Sequence, residues 1–188
     1  FDLARQPGEP LGVSISSAVF DRIHTCDNHC EFCFIYQLPK GMRRSLYMKD
    51  DDYRLSFLHG NYVTLTNLKE GELDRICEQK LSPMFVSVHA TDPEARGKIL
   101  GRKGPEAILP ILQRLADARI QVHAQIVLVP EYNDNEILME TVTDLANLHP
   151  ENRGTYGGVL SVAVVPIGIT QFRERLAPVK TVNFSTVA

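Results

Sequence analysis

Residues 120–129 read Ile-Gln-Val-His-Ala-Gln-Ile-Val-Leu-Val, and the alternation within this stretch indicates the fold. Gln121, His123 and Gln125 alternate with apolar residues. Because successive residues of a strand point to opposite faces of a sheet, this strand has one polar and one apolar face. A strand buried under helices on both faces is nearly all apolar, and an ordinary closed barrel fills its centre with Val, Ile and Leu. The stretch therefore predicts a strand with helices on one side and a polar cavity on the other.

Strand-like and helix-like segments alternate along the whole chain, which is typical of an α/β fold with a parallel sheet. The predicted strands are 13–23, 62–66, 85–89, 120–129 and 158–165. The predicted helices are a short one capped by the Asp50–Asp52 run and ending near His59, and longer ones at 70–80, 105–119 and 135–148. We expect a partial (β/α)6-type TIM-like barrel of parallel strands with outer helices. An open doubly wound sheet and an antiparallel sheet with one wet face are the alternatives.

Three of the predicted strands share a polar face. The polar positions are Thr64, Thr66, Ser87, His89, His123 and Gln125, and the opposite apolar positions are Val63, Leu65, Val86, Val88, Val122 and Ala124. The polar set is predicted to line a cavity that holds a polar ligand, and the apolar set to pack against the helices. His89 and His123 are candidate catalytic residues, as proton donors or substrate ligands. The alternative is that both are hydrogen-bonded interior histidines.

The composition fits one soluble globular domain: 188 residues, of which 44% are apolar and 23% are charged. Twenty basic against 23 acidic residues give a net charge of −3, which argues against a general nucleic-acid binder because phosphate contacts need a basic surplus. No apolar stretch approaches the ~18 residues of a membrane span, and no signal peptide is visible. The chain begins with Phe1 rather than Met, so we expect a fragment of a longer protein.

Three of the four cysteines lie within eight residues, in the loop Cys26-Asp-Asn-His-Cys30-Glu-Phe-Cys33, whereas Cys77 falls on a predicted helix as a core residue. Without a secretory signal, such a cluster indicates metal or redox chemistry in a reducing, cytoplasmic compartment. Thiolates suit iron–sulfur clusters and zinc. Three cysteines on a [4Fe–4S] cluster would leave one iron open to a non-protein ligand. A structural Cys3His zinc site, with His24 or His29 as fourth ligand, is the alternative.

The spacing C-x-x-x-C-x-x-C, with an aromatic residue before the last cysteine, resembles the signature of the radical S-adenosylmethionine (radical SAM) superfamily. Residues 32–44, 49–61 and 87–96 resemble a largely uncharacterised branch with a PDZ-like N-terminal segment and a C-terminal domain of unknown function. The resemblance implies a [4Fe–4S] cluster on the three cysteines, S-adenosyl-L-methionine on the open iron, and Phe32 against the adenine. It also implies reductive cleavage to a 5′-deoxyadenosyl radical, an unknown substrate, and an electron donor such as flavodoxin or ferredoxin.

The resemblance divides the chain into 1–14, the trailing edge of the PDZ-like segment, 15–175, the radical SAM core, and 176–188, an extension or truncated linker. Many superfamily members carry Gly-Gly-Glu after the second strand, where this chain has Thr64-Leu-Thr-Asn67. Thr66 and Asn67 are therefore the implied contacts to the amino group of the cofactor. Gln125 and, on the third strand, Ser87 are the implied contacts to its ribose and carboxylate.

A second class of function is a zinc- or cluster-stabilised scaffold that binds a partner without catalysis. A scaffold has no use for a polar barrel interior, so the strand faces favour the enzyme. The basic run Lys40–Arg44 could meet an anionic substrate, although such a run is also typical of a solvated loop.

Overall fold

The computed structural model describes residues 21–182, together with Pro7, Gly8, Gly12, Ser14 and Val19. The predicted strand at 13–23 and the predicted segment 1–14 therefore lie largely outside the described residues. Residues 21–23 are described and are not in a strand. The predicted extension 176–188 is described as far as residue 182, without helix or strand.

The described residues form a mixed α/β fold. Its α-helices are α1 Tyr53–His59, α2 Glu72–Gln79, α3 Pro93–Ile99, α4 Leu109–Asp117, α5 Asn135–Asn147 and α6 Pro150–Arg153, and two short 3-10 helices span Ile35–Gln37 and Arg44–Tyr47. The Asp50–Asp52 run begins α1 as predicted, because Asp52 accepts a hydrogen bond from the Arg54 backbone amide. The longest of these helices, α5, has 13 residues, short of the ~20 needed to cross a bilayer.

The sheet has three parallel strands, β1 Met84–Ser87, β2 Gln121–Leu128 and β3 Gly158–Pro166, in the order β1-β2-β3. In the register Phe85 lies opposite His123, and His123 opposite Ser161. The parallel pairing contradicts the antiparallel alternative, and the connecting helices explain it, since parallel neighbours need a crossover.

The two faces of the sheet differ as the alternation predicts. All six predicted apolar positions belong to one buried core, into which α2, α4 and α5 also insert side chains such as Ile76, Leu112 and Leu145. Along β2 the buried positions alternate with half-buried or exposed ones. Among the described residues helices thus cover one face, which does not match a doubly wound sheet.

Two elements differ from the prediction for local backbone reasons. The segment 62–66 makes only one parallel bridge, Val63 to Val86, because Leu65 has φ 59° and leaves the extended conformation. The helix predicted from Gly104-Pro105 begins at Leu109, with Pro110 in its first turn.

Helix α3 was not predicted, although Asp92-Pro93 is a recognisable start. Asp92 accepts a hydrogen bond from the Ala95 amide, and Pro93 occupies the first turn. The helix has seven residues, too few to show a periodic apolar pattern.

Candidate active site

The cysteine loop, residues 26–33, is held by backbone hydrogen bonds from two sides. The Cys26 amide donates to the carbonyl of Lys49 at 2.8 Å, and the His29 amide donates to the carbonyl of Leu100, after α3, at 2.9 Å. Within the loop the Cys33 amide donates to the carbonyl of Cys30 at 3.0 Å. These bonds fix the backbone from which the three thiols project.

Asn28 ties the loop to the segment after α1. It is fully buried, and its Nδ2 donates to the hydroxyls of Thr64 and Thr66 at 3.0 and 2.9 Å. Behind them, buried Asp51 accepts from the Thr64 amide at 2.6 Å and from the Thr64 hydroxyl at 2.5 Å. An ionised carboxylate only accepts, so the Thr64 oxygen is left to accept from Asn28 and Thr66. The network orients both threonine hydroxyls toward the cysteine loop.

The two predicted contacts to the amino group, Thr66 and Asn67, both lie beside the cysteine loop. The Thr66 hydroxyl belongs to the Asn28 network. Asn67 donates from Nδ2 to the carbonyls of Asp51 and Thr25, at 2.9 and 3.3 Å. Its Oδ1 makes no hydrogen bond to another described residue and remains an acceptor.

The three thiols are free and electrostatically coupled. Cys30 is buried, whereas Cys26 and Cys33 are half-buried. Burial, followed by the neighbouring Cys26 and Cys33, raises the pKa of Cys30 to about 12. Within the described residues, no three His, Cys, Asp or Glu side chains already surround a common point as metal ligands. By its chemistry, a set of three soft thiols on one short loop fits an iron–sulfur cluster or zinc.

The histidines proposed as a fourth zinc ligand are engaged elsewhere. His24 Nε2 lies 3.6 Å from a Glu72 carboxylate oxygen. His29 stacks on Tyr36, and its Nδ1 lies 3.1 Å from the tyrosine hydroxyl. The described residues therefore do not form a Cys3His group.

His89 lies against Phe32, with ring centroids 4.6 Å apart. It is buried with φ 65°, and its Nδ1 accepts a hydrogen bond from the Val127 amide at 3.1 Å. Burial, and then the charge of Arg96, lowers the pKa of His89 to about 3. A neutral ring that accepts at Nδ1 carries its proton on Nε2. His89 is thus a fixed neutral donor at neutral pH rather than an acid that changes charge.

This environment predicts a pH dependence of stability. The folded pKa of about 3 lies below the ordinary 6.5, so the unfolded chain binds one more proton between these values and stability is lost as pH falls through that window. In urea unfolding between pH 4 and 7, the wild type should lose up to about 1.4 kcal/mol per pH unit more than His89→Asn. Parallel stability profiles for the two proteins would contradict the assignment.

Ser87 and Gln125 are paired in the register of β1 and β2, on the polar face. Ser87 is 7% exposed and Gln125 is half-buried. Neither side chain makes a hydrogen bond to the described residues, so both remain open to a ligand.

His123 stands apart from His89. Its Nδ1 lies 2.7 Å from the Ser161 hydroxyl, and its ring stacks on Phe85 at 4.9 Å. It precedes Gln125 by two residues, roughly 6.6 Å along the strand. The structure therefore places the two candidate catalytic histidines at different levels of the polar face, with only His89 against the cysteine loop.

Lys49 was missed by the sequence reasoning. Its Nζ donates to the Asn28 carbonyl at 2.6 Å and to the Tyr36 hydroxyl at 3.0 Å, and lies 4.5 Å from the Tyr36 ring centroid. Its charge acts to lower the pKa of Cys26 and Cys30, against the larger effect of burial. Its position directly before the capping Asp50–Asp52 run gave no signal of this role.

Arg96, on α3, was also missed. It is 1% exposed and donates to the carbonyls of Thr64 at 2.7 Å, Val88 at 3.0 Å and Ser87 at 3.4 Å. It therefore satisfies carbonyls where β1 and the neighbouring 62–66 segment end. The position of this arginine between two small residues, Ala95 and Gly97, is the sequence feature that could have indicated it.

Gly101 permits the close approach of α3 to the cysteine loop. It has φ +65°, and a Cβ there would lie 2.3 Å from the His29 carbonyl oxygen. We expect Gly101→Ala to lower the melting temperature by roughly 2–12 °C, since such strain costs about 1–3 kcal/mol and each kcal/mol shifts Tm by about 2–4 °C. Gly104→Ala is the control for calorimetry, because a Cβ there meets no atom within 4 Å. Equal Tm changes in the two variants would contradict this.

Comparison with known proteins agrees with the cysteine-loop motif. A family model described as a Radical SAM-like domain matches residues 5–154. No curated protein matches the sequence significantly. The match spans most of the chain. It includes the cysteine loop, strands β1 and β2, and helix α5, and it ends before β3. The chain therefore belongs to the radical SAM-like domain family.

Proposed function

We propose that this protein is a radical SAM enzyme that binds a [4Fe–4S] cluster through Cys26, Cys30 and Cys33. The observation that carries the proposal is the three-thiol loop with Phe32 against His89, in a chain of this family. The chemistry that such a cluster supplies is one-electron reduction of S-adenosyl-L-methionine, which releases methionine and a 5′-deoxyadenosyl radical. The substrate that loses a hydrogen atom is not identified by these residues.

The chain's own residues would position the cofactor. Phe32 offers an aromatic face for the adenine, and Ser87 and Gln125 offer unpaired polar groups for the ribose and carboxylate. Thr66 and the free Oδ1 of Asn67 are acceptors for the amino group, and the Asp51 carboxylate polarises the Thr66 hydroxyl through Thr64. The neutral Nε2–H of His89 is a donor beside Phe32, a role in positioning rather than proton transfer.

The proposed architecture is a partial (β/α)6 TIM-like barrel, of which β1–β3 are three neighbouring strands. The polar face of β2, whose positions are half-buried or exposed, supports it, because that face would be the barrel interior. His123 would then lie deeper in the interior than the cofactor, where it contacts Ser161 and Phe85. The family also supports an electron donor such as flavodoxin or ferredoxin, a cytoplasmic location and a core at 15–175, each as part of the proposal.

The test is anaerobic reconstitution followed by EPR spectroscopy. We expect the reduced protein to show a cluster signal that changes when S-adenosyl-L-methionine is added. Phe32→Ala should weaken that binding by about 5- to 150-fold, because base stacking on an aromatic ring contributes about 1–3 kcal/mol. Phe34→Ala is the matched control, because Phe34 directly follows the cysteine loop and is 73% exposed.

Two results would contradict the proposal. Stoichiometric zinc in place of iron would favour the scaffold, and an EPR signal unchanged at saturating cofactor would show that Thr66 and Asn67 do not replace Gly-Gly-Glu.

A further inference from the structure

A cavity of about 660 Å3 lies between the segment that follows the cysteine loop and the segment after β3. Its volume is within the range of roughly 300–1,000 Å3 typical of small-molecule sites. Three aromatic residues, Tyr36, Tyr47 and Phe172, line it together with aliphatic side chains. It therefore offers flat apolar contact surface next to the cysteine loop, since Tyr36 stacks on His29.

The charged groups of the cavity are three cations and one carboxylate. Lys40, Lys49 and Arg175 line it, as does Glu174. Among the described residues none of these four forms a salt bridge. The net charge of the lining is thus positive, in a chain whose overall charge is −3.

The hydroxyl groups of the cavity are already committed. Tyr47 Oη accepts from the Met42 amide at 2.9 Å and donates to the Pro39 carbonyl. Tyr36 Oη accepts from Lys49 and lies 3.1 Å from His29 Nδ1. The polar groups left to bind a ligand are the Lys and Arg side chains, as donors, and the Glu174 carboxylate, as an acceptor.

Lys49 connects this cavity to the cysteine loop. An ammonium group has three N–H donors, of which the Asn28 carbonyl and the Tyr36 hydroxyl use two. One donor is left, on a half-buried side chain that lines the cavity. A ligand that accepts this hydrogen bond would be linked to the cysteine loop through Lys49, whose Nζ also donates to the Asn28 carbonyl.

The basic character extends beyond the lining. Residues 34–48 contain Lys40, Arg43 and Arg44 and no acidic residue. Positive charge at the mouth of a cavity raises the local concentration of anionic ligands.

We propose that this cavity is the substrate site and that it takes an anion, a carboxylate or phosphate, carried on an aromatic body. The aromatic walls contact the body, and Lys40, Lys49 and Arg175 bind the anionic group. The identification of this ligand as substrate rests on the proposed function, whereas the binding itself does not.

Phenylphosphate is the probe, with inorganic phosphate and benzyl alcohol as the two half-ligands, measured by calorimetry on the chain before and after cluster reconstitution. We expect phenylphosphate to bind more tightly than either half-ligand. Lys40→Glu and Arg175→Glu should each weaken it about three- to tenfold, and Glu174→Gln should tighten it about twofold. Arg75→Glu is the matched control, since Arg75 is exposed on helix α2 outside the lining.

Equal binding of phenylphosphate and benzyl alcohol, or equal weakening by Arg75→Glu, would overturn the anion site. Displacement of phenylphosphate by S-adenosyl-L-methionine would show that the cavity belongs to the cofactor and would overturn the substrate assignment. A chain that binds phenylphosphate but assembles no iron would keep the anion site and overturn the proposed function.

Discussion

Replacing Cys30 with alanine should abolish iron binding. With three thiols on one loop, the loss of one leaves two protein ligands on the cluster, which makes it labile. Anaerobic reconstitution of the wild type should give about four irons per chain and a broad visible absorption that air destroys. The Cys26, Cys30 and Cys33 variants should each lose both.

Cys77→Ala is the control, because Cys77 packs half-buried against the main core, away from the loop. Circular dichroism separates loss of the cluster from loss of the fold. Iron retained in any of the three loop variants, or lost in Cys77→Ala, would contradict the ligand assignment.

Val122→Asp should unfold the domain. Val122 is 1% exposed on the central strand β2, opposite Met84 and Val159 in the register. An unpaired carboxylate in this layer costs several kcal/mol, a large part of the roughly 5–15 kcal/mol by which a domain is stable. Val88→Asp, at 0% exposure, should have the same effect. The measurement is the thermal transition followed by circular dichroism.

The neighbouring polar positions should behave in the opposite way. His123→Ala loses a hydrogen bond to Ser161 and a ring contact with Phe85, and Gln125→Ala loses no bond to a described residue. Both variants should fold nearly as well as the wild type, and Gln125→Ala, which loses a proposed cofactor contact, should show reduced cleavage of S-adenosyl-L-methionine. A folded Val122→Asp, or unfolding of Gln125→Ala, would mean that the two faces of β2 have been assigned wrongly.

Much of the sheet was predictable because strand faces depend on a local period. The alternation at 120–129 places Val122 and Ala124 in the core and leaves His123 and Gln125 on the other face, as the burial along β2 confirms. The period does not show where the backbone leaves the regular strand conformation. Leu65 and His89 have positive φ, and nothing in a Thr-Leu-Thr or Val-His-Ala sequence requires it.

The sequence by itself determined the three thiols, their spacing and the amphipathic elements, since each depends on residues close together in the chain. Only the tertiary structure decided which groups support the thiols. Asn28 meets Thr64 across 36 positions, Arg96 meets Thr64 across 32, and Lys49 meets Asn28 across 21. These pairs form between buried polar groups that would otherwise lack a hydrogen bond once the elements have packed. Which groups meet therefore depends on the packing and not on any one segment.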